Sequence, residues 1–245
     1  LPQELQPVAS AVTRLLARVE DALRHARTLT ADAAHELRTP LAALRAQSQV
    51  ALRSRDDEER SSALRALMAG VDRATALVGA VLTLARLDAS QLDPAAQPRL
   101  DLTTLAKDVI DEFAPIAAGR GVEFTTDFSP APVRGDADAL AILLRNLIDN
   151  AIRHARHRVR VQVAVEAGEA CLRVQDDGAG LSAAQAQRVF DRFYRGSPGT
   201  GDAGSGAGLG LAMVKRIADL HHGSVVVEDP KEGEGATFVV RLPVA

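Results

Sequence analysis

The chain has one cysteine, Cys171, in 245 residues, no tryptophan, and aromatic residues at only 3%. One thiol closes no internal disulfide and builds no cysteine-rich metal centre, so disulfide scaffolds and zinc folds are excluded. So few aromatics leave little from which to make a base-stacking platform. Charge of one sign is also lacking. The 29 Lys and Arg residues nearly balance 32 Asp and Glu, and the formal charge of -3 supplies no positive field, so direct nucleic-acid binding is not expected. No apolar run reaches the roughly 18 to 20 residues of a membrane span. The best stretch, Ala74 to Leu84, is bounded by Arg73 and Arg86. The sequence begins at Leu1 without a signal-peptide pattern, which reads as a soluble fragment of something longer whose membrane part is absent. Two nucleotide signatures are missing as well: there is no G-x-x-x-x-G-K-[ST], and no G-x-G-x-x-G follows the early strand pattern.

What is present is an ordinary globular mixture, 47% hydrophobic and 25% charged, at a length that suggests two domains. From Val8 to about Leu87 the only glycines are Gly70 and Gly79, and apolar residues recur at steps of three and four, which predicts helix. One stripe runs through Leu15, Val19, Ala22 or Leu23, Ala26, Leu29, Ala33, Leu37, Leu41 and Leu44. The charged stretch Ser54 to Glu59 breaks it, and a second stripe follows through Leu64, Leu67, Val71, Ala74, Leu77 or Val78, Val81, and Leu84 or Leu87. Two helices alone leave one side of each stripe wet, so the expected solution is a homodimer whose hairpins form a four-helix bundle. Pro40 lies inside the first helix, where it removes a backbone hydrogen bond, and a bend is expected there. The same stripe leaves His35, Arg38 and Thr39 toward solvent. An exposed imidazole with Glu36 beside it has the makings of base-assisted nucleophilic catalysis, and Thr39, one turn on, shares its face.

Beyond Pro94 and Pro98, which mark a linker, strand patterns appear. Helices are predicted over Thr103 to Ala118, from an Asp136 N-cap to about Arg156, and over Gly208 to His221. Strands are predicted at Val122 to Asp127, through the alternation of Val159, Val161, Val163 and Val165, across the Ala167-Gly168 turn to Asp176, and at Ser224 to Glu228 and Ala236 to Leu242. The sum is a two-layer α/β sandwich. Asn146, Asn150 and Arg153 fall on one helix face, amide oxygens suited to a hard cation beside a guanidinium suited to phosphate. Asp176-Asp177-Gly178-Ala179-Gly180 ends a strand with a carboxylate on its buried side, able to accept a hydrogen bond from an exocyclic amine. From Gly196 to Gly210 seven of fifteen residues are glycine, and the run leads into a helix whose first amides can receive phosphate. Taken singly these are a solvated histidine, a polar stripe, a common turn and a flexible linker. Their joint occurrence in this order is what carries meaning.

That order resembles the transmitter region of bacterial sensor histidine kinases along essentially the whole chain. Ala34-His35-Glu36-Leu37-Arg38-Thr39-Pro40-Leu41 is similar to the phospho-acceptor box of that family, and Asn146 to His154 to its asparagine box. Asp176 to Gly180 is similar to the first glycine box, Phe190 to Arg195 to the phenylalanine box, and Gly206-Ala207-Gly208-Leu209-Gly210-Leu211 to the second glycine box. The resemblance implies an α+β chain in three parts: residues 1–29 as the end of a HAMP linker and a signalling helix, 30–93 as the dimerisation and histidine phosphotransfer domain, and 99–245 as the catalytic ATP-binding domain. It implies autophosphorylation of His35 from ATP and Mg²⁺, then transfer to an aspartate on the receiver domain of a cognate response regulator, with phosphatase activity toward that partner.

By the same resemblance Glu36 is the general base and Thr39 positions water in the reverse reaction. Asn150 coordinates Mg²⁺ with Asn146 assisting, Arg153 touches phosphate, and Asp176 binds the adenine amine. His154, Gly178, Gly180, Arg192, Arg195, Gly206, Gly208, Leu209 and Gly210 complete the ATP site, with a lid from about Ala179 to Gly208. A HAMP-like start implies a parent in the bacterial inner membrane, with this region cytoplasmic and touching the membrane only through a missing upstream sensor.

Related ATPases of the gyrase and chaperone type carry a water-activating carboxylate four positions before the metal asparagine; here Asn146 stands there, so hydrolysis by the domain alone is expected to be slow. Three residues depart from the family pattern. Asp177 replaces an asparagine, Arg153 a frequent lysine and His154 an aromatic, and an extra carboxylate near polyphosphate is expected to weaken binding by repulsion.

Overall fold

The structure, a computed structural model, describes residues 31–54, 56–90, 92, 96–195, 208–228 and 235–245. The expected HAMP end and signalling helix, Gly206, and most of the glycine run lie outside the described residues. Backbone contacts divide the chain into two units at Ala89 and Ser90.

In the first unit, residues 31–53 form a helix, α1, and Asp57–Ala89 forms α2. The break between them is shorter than the charged run suggested. Asp56 accepts the amides of Glu58 at 3.4 Å and Glu59 at 3.3 Å, so the acidic residues begin α2 instead of preceding it. Three acidic side chains in that first turn, Asp57, Glu58 and Glu59, also suit the positive end of the helix dipole. Pro40 is helical and does not end α1. Gly70 is buried where the helices approach: a Cβ there would lie 2.7 Å from Cδ2 of Leu44.

Within one chain much of the apolar stripe is uncovered, with Leu41, Val50, Leu64, Met68, Val71, Val78 and Leu82 all exposed. By length and composition α2 is apolar enough to cross a membrane, although charged residues interrupt its apolar runs, and only 17% of its most apolar window is buried.

The second unit is an α/β sandwich. Its elements in order are β1 (Arg99–Asp101), α3 (Leu102–Gly119), β2 (Glu123–Phe128), β3 (Pro132–Arg134), α4 (Ala137–His154), β4 (Arg158–Glu166), β5 (Glu169–Asp176), α5 (Ala183–Arg188), α6 (Gly210–Leu220), β6 (Ser224–Glu228) and β7 (Thr237–Pro243). One sheet runs in the order β2-β4-β5-β7-β6, with β2 parallel to β4 and the other pairs antiparallel. β1 and β3 make a second, two-stranded antiparallel sheet. Neither of these short strands, nor α5, was expected from periodicity. Three residues are too few to show alternation, and α5 is held by a capping box between Ser182 and Gln185. Val159, Val161 and Val163 of β4 stand opposite Asp176, Val174 and Leu172 of β5, and all six are buried. The hairpin turn joining them uses Ala167 at φ 50 and Gly168 at φ 85, the two positive values that a tight turn between twisted strands needs. Cys171 is buried, and burial pushes its thiol up, which keeps it unreactive.

His221 at the end of α6 fastens that helix to the start of α4. Its Nδ1–H donates to the carbonyl of Ile217 at 2.8 Å, and its Nε2 accepts the amide of Asp136 at 3.1 Å. The Nε2 bond requires the neutral ring, and burial pushes its pKa down, against the Ile217 hydrogen bond and the Asp136 carboxylate, with His222 adding to the depression. The unfolded chain therefore takes up this proton first, near pH 6.5, so the stabilisation is fully present above about pH 6.5 and is lost as pH falls through the lower folded value. His221→Gln is expected to cost about 1–3 kcal/mol at neutral pH and to flatten the decline in melting temperature between pH 7.5 and 5.5. Parallel pH slopes for the two proteins in thermal unfolding would refute this role.

Candidate nucleotide-binding site

α4 is the base of the site. Asp136 caps it by accepting the amides of Asp138 at 2.9 Å and Ala139 at 3.1 Å. One face buries Leu140, Leu143, Leu144, Leu147 and Ile148 almost completely, which fixes the helix against the sheet and its neighbours α3 and α6. The opposite face then presents Asn146, Asn150 and Arg153, each half-buried. Asn146 donates from Nδ2 to the carbonyl of Ile142 at 2.7 Å, and its Oδ1 lies against the first residue of α6, only 2.7 Å from where a Cβ on Gly210 would sit. The asparagine face and the second glycine box therefore meet, and a larger residue at Gly210 would displace the Asn146 amide. Arg153 is paired with Asp149 one turn back, and its Nε is buried without a hydrogen-bond partner. An orphaned guanidinium N–H is costly and is satisfied by an oxygen-rich ligand.

The second wall is the end of β5. Asp176 is 3% exposed, and its Oδ1 accepts the amides of Gly178 at 2.8 Å and Ala236 at 3.3 Å. Burial pushes its carboxyl up, opposed by those two amides and by His154. Gly178 lies directly on the α4 terminus, since a Cβ there would sit 2.2 Å from the carbonyl oxygen of His154. Gly235 has the same constraint from the other side, a Cβ falling 2.2 Å from Oδ1 of Asp176. Gly235 and Ala236 were not singled out from the sequence. The signal was there in the small residues immediately preceding the apolar strand β7.

Asp177 does not point at the site. Its Oδ1 accepts the amides of Arg156 at 2.7 Å and His157 at 3.0 Å, so the repulsion expected of an extra carboxylate is replaced by backbone capping. Burial raises its carboxyl, but the backbone N–H groups of His157, Arg158 and Arg156 outweigh that and hold it below the usual carboxylate range. His154 is exposed at the rim.

The remaining residues form the base of the glycine segment. The Phe193 amide donates to the carbonyl of Gly208 at 2.8 Å, with φ at 59 for Phe193 and 67 for Gly208. A side chain at Gly208 would meet the Phe193 backbone at 2.7 Å. Phe190 packs edge-on against Phe238 of β7 with centroids 6.2 Å apart, and Leu209 is fully buried, so this end of the segment is tied to the core. Gly180, at φ 73, turns the chain away from Asp176. Arg192 is half-buried and Arg195 exposed. In the other unit His35 and Thr39 are exposed and Glu36 half-buried, on one stretch of α1.

Residues 25–90 match the family described as His Kinase A (phospho-acceptor) domain, and residues 135–245 match the Histidine kinase-, DNA gyrase B-, and HSP90-like ATPase family. The chain belongs to the sensor histidine kinases. It is 40% identical to the sensor protein kinase PmrB of Pseudomonas aeruginosa over 99% of its own length and 51% of that protein. The sensor histidine kinase CusS of Escherichia coli is 32% identical, over 99% of this chain and 51% of its own. The chain thus spans about half the length of the curated relatives it matches. Among solved structures, the mycobacterial sensor histidine kinase MprB superposes with a TM-score of 0.53 at 28% identity, over 61% of this chain and 98% of that one. The Acinetobacter baumannii histidine kinase AdeS shares the fold, with a TM-score of 0.65 at 23% identity, over 86% of this chain and 98% of that one.

Membership of the ATPase family makes the second unit an ATP-binding fold. The residues present fit that ligand. The unpartnered Arg153 Nε suits phosphate, and Gly210 and Gly178 leave backbone surface that any side chain would fill. No group of three or more His, Cys, Asp or Glu able to hold a metal occurs among the described residues. A cation here would rest on amide oxygens and on the nucleotide's phosphates, which suits Mg²⁺.

Proposed function

We propose that this chain is the transmitter of a two-component sensor that uses Mg-ATP to phosphorylate His35, passes the phosphoryl group to an aspartate on a response-regulator receiver domain, and also promotes that partner's dephosphorylation. The observation that carries the reading is Asn146 against Gly210 at the start of α6. Where the gyrase-like relatives hold a carboxylate that activates water, this site has a neutral amide, so the γ-phosphate is left for another nucleophile. The exposed His35 beside Glu36 is that nucleophile.

In this mechanism Asp176 accepts the adenine amine, Arg153 meets phosphate oxygens, and Asn150, with Asn146 assisting, holds Mg²⁺. When bound there, such a cation would offset negative charge on the transferring group. Arg192 and Arg195 stand near enough in sequence to the glycine segment to add phosphate contacts. One ring nitrogen of His35 attacks the γ-phosphorus, the bond to the β,γ-bridging oxygen breaks with its electrons leaving on ADP, and Glu36 takes the proton from the other ring nitrogen. Thr39, one turn from His35, orients water for the reverse hydrolysis. The division follows as residues 1–29 for the HAMP end and signalling helix, 30–93 for dimerisation and phosphotransfer, and 99–245 for ATP binding. On this reading the parent is a bacterial inner-membrane protein with this region on the cytoplasmic side.

The uncovered stripe of α1 and α2 supports a homodimer in which two hairpins bury it as a four-helix bundle. Light scattering at micromolar concentration is expected to give twice the chain mass, and a monomeric mass would remove the dimer. The central test is incubation with γ-labelled ATP and Mg²⁺. Acid-labile, alkali-stable label is expected on the chain and is expected to vanish in His35→Ala; label that persists in the variant would mean another acceptor.

A further inference from the structure

We propose that Asp177 is a positioning residue for the nucleotide site: its carboxylate pins the turn after α4 to the end of β5 and so sets where Asp176 and the His154 carbonyl stand. This rests on the reading of Asp176 as the adenine contact.

Two adjacent carboxylates face opposite ways. Asp176 turns inward and is tied through Oδ1 to the amides of Gly178 and Ala236. Asp177 turns outward, and its carboxylate takes the amides of Arg156 and His157, the latter by both oxygens at 3.0 and 3.1 Å. Those amides belong to the residues that follow the α4 C-cap, Ala155, whose own amide still donates to Ala151 at 2.8 Å. Without Asp177 the amides of Arg156 and His157 lose these acceptors, and the link between the α4 terminus and β5 loosens. The link matters because Gly178 already packs on the His154 carbonyl with no room for one carbon atom. A shift of the 154–158 backbone therefore moves Gly178, whose amide helps hold Asp176. The depressed carboxyl pKa agrees with an ionised acceptor in use. A Coulombic role is not needed: a neutral acceptor in the same place serves the same amides, so asparagine at this position does the same work.

The test is ADP titration against the full chain, with backbone amide exchange at Arg156 and His157. In Asp177→Ala the two amides are expected to lose protection and the ADP Kd to rise about tenfold, the loss expected when a charge-assisted bond is removed. Autophosphorylation should show the matching split, a higher KM for ATP with kcat at saturation close to that of the unsubstituted chain. Asp177→Asn retains Oδ1 and should restore both exchange protection and affinity to within about twofold. Should the alanine variant fail to fold, Asp177→Ser, with a shorter acceptor, is expected to fall between Asn and the loss described. Affinity unchanged in Ala or Ser while the unsubstituted chain binds ADP overturns the positioning role alone. Protection unchanged at Arg156 and His157 overturns it too. Failure of the unsubstituted chain to bind ADP at all overturns the nucleotide reading and this proposal with it.

Discussion

His35→Gln is expected to reduce transfer of the γ-phosphoryl label to the chain by at least about 10⁴-fold, the scale seen when a covalent nucleophile is removed. Glutamine suits the test because it has good helix propensity and occupies an exposed position on α1, so the hairpin loses neither packing nor a hydrogen bond. Its amide nitrogen has no lone pair available for attack. Because His35 lies in a different unit from Asp176 and Arg153, ADP affinity should stay unchanged, which separates loss of acceptor from loss of site. Glu36→Gln should cost less, about 10²-fold or more, because it removes a base and leaves the nucleophile. Thr39→Ala should leave labelling nearly intact while slowing dephosphorylation of the phosphorylated partner. Full labelling of His35→Gln in a filter-binding assay would overturn the acceptor assignment whatever the other variants do.

Much of this architecture was readable from periodicity because the elements that hold it are long or regular. α4 shows Leu143, Leu144, Leu147 and Ile148 on one face and Asn146, Asn150 and Arg153 on the other, so both its fold and its chemistry are written along the same eleven residues. β4 alternates through Val159, Val161 and Val163, and pairing with β5 then forces Asp176 inward. The strands β1 and β3 escaped because three residues carry no period, and because their pairing is fixed from afar. Asp101 accepts the amides of both Thr103 and Ala131, a contact across thirty positions that no local pattern encodes. The partners of Asp177 were not legible for a related reason. Its neighbours in sequence suggest polyphosphate, but strand alternation turns it away from Asp176, and the amides it meets lie twenty positions upstream. The membrane-like average of α2 shows the reverse limit. Composition registers how much apolar surface exists and is silent on whether lipid, a core or a second chain covers it.

Asp176→Asn is expected to lower ATP affinity about 10²-fold while leaving the fold nearly intact, and the separation of those effects follows from how the carboxylate is divided. Oδ1 is committed to the backbone, accepting from Gly178 and Ala236. Asparagine keeps an oxygen there, since the alternative orientation would set its NH₂ against two amide donors. The NH₂ group must then occupy the place of the second oxygen, and it meets the exocyclic amine of adenine donor to donor. A purine with a carbonyl in that position offers an acceptor instead, so the preference for ATP over inosine triphosphate should shrink about tenfold or more, or reverse. Asp176→Ala behaves differently. It strips the acceptor from the backbone amides, at about 1–3 kcal/mol for each buried group left unpaired, so affinity and melting temperature fall together. Competition binding with both nucleotides, run beside thermal unfolding, separates the two variants. If Asp176→Asn binds ATP as tightly as the unsubstituted chain, adenine is recognised elsewhere and the buried carboxylate serves only to join β5 to the start of β7.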